Sequence, residues 1–124
     1  MKKVIESKKV AAAIGPYSQA IETDNLIFVS GCLPINGETN EVADNIKDQT
    51  IQSLTNIKYI LQEAGLDMSN IVKTTVLLKD MNDFGIMNEV YSSFFENDYP
   101  ARICYEVSRL PKDVLVEIDC IAVK

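Results

Sequence analysis

Two residues near the C-terminus have the types needed to handle a small anionic substrate. Arg102 carries a planar fork of donors that matches a carboxylate, and Glu117 can take or give a proton. They stand in residues 100–123, PARICYEVSRLPKDVLVEIDCIAV, where two extended runs flank a polar break. In the first run Arg102, Cys104 and Glu106 alternate with Ile103, Tyr105 and Val107, the period of a strand. The second run, 114–123, is rich in Val and Ile, and Pro111 with Lys112 and Asp113 supplies the turn between them. These two runs are expected to pair as a hairpin. With Val107 opposite Val114, Cys104 faces Glu117 and Arg102 faces Asp119, which leaves Arg102 and Glu117 diagonal neighbours about 7 to 8 Å apart. A one-residue slip would put them on opposite faces. On spacing alone the pair reads as an ion pair on a strand face.

Composition narrows the chemistry further. The chain has 124 residues, 47% of them apolar, enough for one domain, 1–124, with its own core. It contains no histidine, which removes Ser-His-Asp and Cys-His catalysis and the zinc motifs built on histidine. Proton transfer must then use Glu, Asp, Tyr, Cys, Lys or a water they hold. The three cysteines, Cys32, Cys104 and Cys120, have neither disulfide-framework nor zinc spacing, so reduced thiols and no metal are expected. A net charge of −6 and no basic tract make nucleic acid a poor partner. No apolar run is long enough for a membrane span, and the N-terminus lacks a signal peptide's apolar stretch, so a cytoplasmic location is expected.

The positioning elements can be read in order. Residues 17–22 and 26–31 alternate around Thr23-Asp24-Asn25 as a β-hairpin, preceded by the rigid corner Gly15-Pro16. Tyr17 reads from spacing as an ordinary strand aromatic. Ser30-Gly31-Cys32 ends the second strand; Gly31 marks either a bulge or a close backbone approach by a ligand. Ile46, Ile51, Leu54, Ile57, Leu61 and Ala64 recur at helical period over 43–64, with Gly65 as a left-handed stop. Residues 71–78, IVKTTVLL, are apolar on both sides, as in a strand buried on two faces. Asp80 to Asp83 offer caps for a second helix carrying Phe84, Met87, Tyr91, Phe94 and Phe95, on which Asn88 reads as a solvated residue. The order β-β-α-β-α-β-β predicts an α+β fold with both helices on one face of a mixed sheet. Its other face must then be covered by something else, most simply further copies of the chain in a closed ring.

Several of these stretches together resemble the Rid (YjgF-type) family of reactive-intermediate deaminases: Ile14-Gly-Pro-Tyr-Ser-Gln, Val29-Ser-Gly-Cys-Leu-Pro, Ile71-Val-Lys-Thr-Thr-Val, Leu78-Lys-Asp-Met-Asn-Asp-Phe, Pro100-Ala-Arg-Ile-Cys, and Leu110-Pro-Lys-Asp-Val with Val116-Glu-Ile. The match runs over nearly the whole chain. The resemblance implies a chorismate-mutase-like fold, a homotrimer with sites between subunits, and hydrolysis of 2-imino acids such as 2-iminobutanoate and 2-iminopropanoate, without cofactor, to 2-keto acids and ammonia. It gives Arg102 the substrate carboxylate and Glu117 the attacking water. Tyr17, Ser30, Gly31, Asn88 and Cys104 would line the pocket, Cys104 through its backbone more than its thiol. In that context catalysis outranks the ion pair. Two departures stand out: Cys32, where a non-thiol residue is usual, and Asp119-Cys120 in place of Glu-Ala. Cys32 could adjust substrate size or simply fill the core as a small hydrophobe. Two other functions stay open: a 2-keto-acid-binding module, which has no need of Glu117, and a translation-inhibiting ribonuclease.

Overall fold

The computed structural model describes residues Met1 to Lys124. Its strands are β1 (Lys3–Ile5), β2 (Ala20–Glu22), β3 (Leu26–Cys32), β4 (Ile71–Leu78), β5 (Ala101–Glu106) and β6 (Val116–Val123); its helices are α1 (Ile46–Glu63) and α2 (Phe84–Ser92). All six strands form one mixed sheet in the order β1-β2-β3-β6-β4-β5. The expected α+β architecture is present. The three-residue β1 was not legible, because Lys2, Lys3 and Glu6 mask the short Val4-Ile5 run at the sheet edge.

The expected hairpin of the last two strands does not form. β5 pairs in parallel with β4, after the α2 crossover that a parallel neighbour requires, and β6 pairs with β4 on its other side. Burial explains the choice. Val116, Ile118, Cys120 and Ala122 of β6 are all buried and need a central place, whereas Arg102, Cys104 and Glu106 of β5 leave that strand to the edge. The register inferred from a hairpin is therefore wrong. Arg102 lies level with Thr74 and Cys120, not Asp119, and Glu117 lies level with Leu77, not Cys104.

Parity divides the sheet cleanly. Ala20, Val29, Cys120, Thr74 and Arg102 form one row across β2 to β5 on the face that α1 and α2 cover. Val4, Ile21, Phe28, Ile121, Lys73 and Ala101 form a row on the opposite, helix-free face. There Val4, Phe28, Ile103 and Tyr105 are exposed. The outward residues of β4 are only half-buried, so the chain alone buries one face of the strand expected to be buried on two.

Local chemistry sets the helix ends. Asn45 starts α1 by accepting the Asp48 N–H at 2.8 Å, which puts its first residue at Ile46 rather than near Ala43. At the other end Gly65, at φ +75°, lets the Leu66 N–H reach the Leu61 carbonyl and its own N–H reach that of Gln62. The inner side of α1 carries three polar groups that clamp backbone near the sheet end. Ser53 donates to the Cys32 carbonyl at 2.7 Å, Asn56 donates to those of Leu33 and Ile35, and Gln49 accepts the Leu115 N–H at 2.7 Å. These bonds fix the segments that enter and leave the cleft described next.

Candidate active site

The chain brings the candidate residues together as two separate groups, one on each face of the sheet. Glu117 anchors the group on the helix-free face. A register shift between Val29 and Cys32 bulges β3 there, and Gly31 turns its missing side chain toward Glu117. A Cβ at Gly31 would lie 2.9 Å from the Glu117 carboxyl carbon, so the bulge reading holds, and the group that comes close to this backbone is the chain's own carboxylate. Glu117, Gly31, Ser30, Tyr17, Ile14 and Pro111 line a cleft of about 240 Å³. Ser30 is held by donating to the Ser18 carbonyl at 2.6 Å. Tyr17 lies in the loop before β2 rather than in the strand, and its hydroxyl accepts the Ile14 N–H at 3.4 Å.

Glu117 makes no hydrogen bond or ion pair within the chain. Burial pushes its pKa above the ordinary glutamate range, and the negative charge of Asp119, two residues along the same face, pushes it further. Asp119 itself is fixed, accepting the Thr75 N–H at 3.0 Å. Cys32 lies just beneath, on the helix side of the bulge, where it lines a small pocket of about 40 Å³ shared with Tyr17, Ser30 and Gly31. Burial, with Glu117 and Asp119 nearby, drives its thiol to about 12. It is a neutral packing group.

Arg102 anchors the group on the helix face. Its guanidinium carbon sits 4.8 Å from the centre of the Tyr91 ring and 5.6 Å from that of Phe84, both on α2. Its ion-pair capacity is free, since the pairs within the chain are Lys79–Asp113 and Lys124–Glu22. Glu106, on the same face of β5, accepts the Met81 N–H at 2.9 Å instead. Cys104 follows Arg102 on that face; burial raises its thiol pKa and Arg102 opposes the rise. Asn88 lies between Phe84 and Tyr91 on α2, and its buried Oδ1 has no donor within the chain. It is not the solvated residue that spacing suggested. Sequence alone gives Phe84 and Tyr91 only a place on the apolar stripe of the second helix; their spacing of two helical turns is the available signal that one α2 face could meet Arg102.

The two groups carry complementary chemistry. Arg102 offers two parallel N–H donors to a carboxylate, and Glu117, poised to exchange a proton, faces a cleft on the other side of the sheet. Within one chain they do not meet.

Comparison with known proteins follows the same lines. The profile of the family described as endoribonuclease L-PSP matches residues 7–124. A RutC family protein of Pyrococcus abyssi is 55% identical over 124 residues, which cover 99% of this chain and 98% of that protein. The 2-iminobutanoate/2-iminopropanoate deaminase of Escherichia coli is 48% identical over 127 residues, covering 100% of this chain and 99% of the deaminase. Among solved structures, Escherichia coli TdcF with bound serine superposes with a TM-score of 0.96 at 44% identity and 98% coverage of both chains.

Proposed function

The chain belongs to the endoribonuclease L-PSP family, and from that premise we propose that it hydrolyses 2-imino acids and their enamine tautomers, 2-iminobutanoate and 2-iminopropanoate among them, to 2-keto acids and ammonia. The observation that carries the reading is the pair of unmatched groups: a guanidinium with no carboxylate partner and a carboxylate with a raised pKa and no cation. A small anionic substrate with a hydrolysable C=N bond needs both. The deaminase names of full-length relatives, and serine bound to one structural relative, support the same substrate class.

In this mechanism Arg102 grips the substrate carboxylate and sets the imine carbon beside Glu117. Ionised Glu117 takes a proton from water as the water oxygen bonds to the carbon of the protonated imine, whose C=N electrons become the lone pair of a neutral amine on a tetrahedral carbon. Protonated Glu117 then gives that proton to the amine nitrogen. Ammonia leaves with the C–N electrons as the hydroxyl oxygen closes the C=O bond, its proton passing to the Glu117 carboxylate and on to solvent. Backbone groups at Gly31 and Cys104, with Tyr17, Ser30 and Asn88, shape the pocket. No metal enters the scheme, so dialysis against a chelator leaves the rate unchanged.

Because Arg102 and Glu117 face away from each other, each site is shared by two copies of the chain. The contact joins two different patches, so it is heterologous, and we take it to close as a ring rather than run on as a filament. A ring of three is what the family resemblance implies. The test is to generate 2-iminobutanoate in situ with a threonine dehydratase and compare keto-acid and ammonia release with the uncatalysed rate. Glu117→Gln should cut the enzymatic rate by roughly 10² to 10⁴ while 2-oxobutanoate still binds. Wild-type turnover by that variant would favour a keto-acid-binding module. The family description favours a ribonuclease as the second reading; that reading requires salt-sensitive RNA binding, against which a net charge of −6 works.

A further inference from the structure

The aromatic side chains beneath Arg102 have no part in the reaction as written above. Phe84 and Tyr91 stand two turns apart on one side of α2, and both rings approach the guanidinium, at 5.6 and 4.8 Å. Tyr91 is itself pinned. Its hydroxyl shares a 2.8 Å hydrogen bond with buried Thr74, the residue paired with Arg102 in the sheet, and its ring packs on Phe95 at 4.9 Å. One strand position thus sets the level of the arginine and ties down the ring under it.

A buried or half-buried arginine is ordinarily held by an acid, which would compete with any anionic ligand. Here Glu106 is engaged at the Met81 N–H and Asp80 at the Asn82 N–H. Ring faces attract the cation without neutralising it, and they leave its N–H edge open. The buried Oδ1 of Asn88, which falls between Phe84 and Tyr91 along α2, likewise has no partner within the chain.

We propose that Phe84 and Tyr91 are positioning residues for carboxylate recognition: they form an aromatic seat, locked through Thr74, that holds Arg102 unpaired and correctly aimed. The proposal rests on the carboxylate role given to Arg102 above. It adds that the seat acts on every ligand through the carboxylate alone, so affinity for 2-oxobutanoate depends on it and affinity for the uncharged 2-oxobutanamide does not.

The test uses Phe84→Leu, which removes one ring, and Phe84→Tyr, which restores it, with Arg102→Lys as reference. Calorimetry with 2-oxobutanoate and 2-oxobutanamide is combined with the coupled dehydratase assay, and thermal melts confirm folding. Phe84→Leu should weaken 2-oxobutanoate about 3- to 30-fold, the range spanned by exposed to desolvated cation–π contacts, and raise KM rather than lower kcat. Amide binding should not change, and Phe84→Tyr should recover the acid's affinity. A purely structural role would lower the melting temperature and affect both ligands alike, which would overturn the proposal. So would natural 2-oxobutanoate affinity in Phe84→Leu while Arg102→Lys binds weakly. If Arg102→Lys also binds normally, the carboxylate role of Arg102 fails and the seat falls with it. An independent readout is the Arg102 Hε resonance. Ring currents should displace it in the natural chain, and Phe84→Leu should move it toward the free-arginine position whatever the turnover; no movement would refute the seat directly.

Discussion

At the scale of single residues, the carboxylates of β6 decide the pH behaviour. In the proposed mechanism Glu117 must be ionised to take a proton from water, and burial and Asp119 both raise its pKa. Activity should therefore rise with pH through a value above the usual glutamate range. Asp119→Asn removes one cause, so the acid limb of the kcat/KM profile should move to lower pH; an unmoved limb would mean that Asp119 does not act on Glu117 electrostatically. Linkage gives a second consequence. A carboxyl group with a raised folded-state pKa contributes stability that is fully present below its unfolded pKa and lost as pH rises through the folded value. Glu117→Gln should thus melt higher than the natural chain near neutrality, and the difference should close on acidification. Gly31 belongs to the same argument. Even one methyl at position 31 would collide with the Glu117 carboxyl, so Gly31→Ala should displace Glu117 and, if it is the base proposed above, lower turnover roughly 10²-fold, measured in the coupled assay.

At the scale of elements, helix ends and strand patterns were largely legible, and strand partners were not. The period of α1, its stop at Gly65, the first hairpin and the alternation of β5 all follow from side-chain pattern, which is local. Pairing is not local. The short loop from residue 107 to 115 resembles a hairpin connection, yet β6 passes to the far side of β4 because its four buried residues need a neighbour on each edge. Expecting a hairpin there gives Arg102 the wrong neighbour and hides its separation from Glu117 on opposite faces of the sheet. The motifs that single out Arg102 and Glu117 do not depend on register. Gly65 allows a clean test of local reading. It sits at φ +75° with nothing within 4 Å of an added Cβ, so Gly65→Ala meets backbone strain alone. Chemical denaturation should show a loss of about 1–2 kcal/mol, with turnover in the coupled assay per folded protein unaltered. A larger loss would point to a packing role that the open space around this glycine does not predict.

At the scale of the whole molecule, the sheet presents Glu117 on one face and Arg102 on the other, so no motion of side chains within one chain can join them. The exposed Val4, Phe28, Ile103 and Tyr105 on the helix-free face give a second copy apolar surface to cover. A ring of three should sediment at about three times the 13.8 kDa chain mass. Mass alone does not show that sites are shared, but complementation does. Arg102→Lys keeps a sound Glu117, and Glu117→Gln keeps a sound Arg102. In any ring containing both variants, going round in the sense that joins each Arg102 to the next Glu117, one junction brings the two sound residues together. Random co-assembly of equal amounts makes about three quarters of trimers mixed, each with one intact site in three, so about a quarter of the natural activity should return. Co-expression with two different affinity tags allows the mixed rings to be purified, and these should reach about a third of the natural rate. If the purified mixed rings are no more active than either variant alone, Arg102 and Glu117 do not serve one shared site, and the assembly proposed here does not build the catalyst.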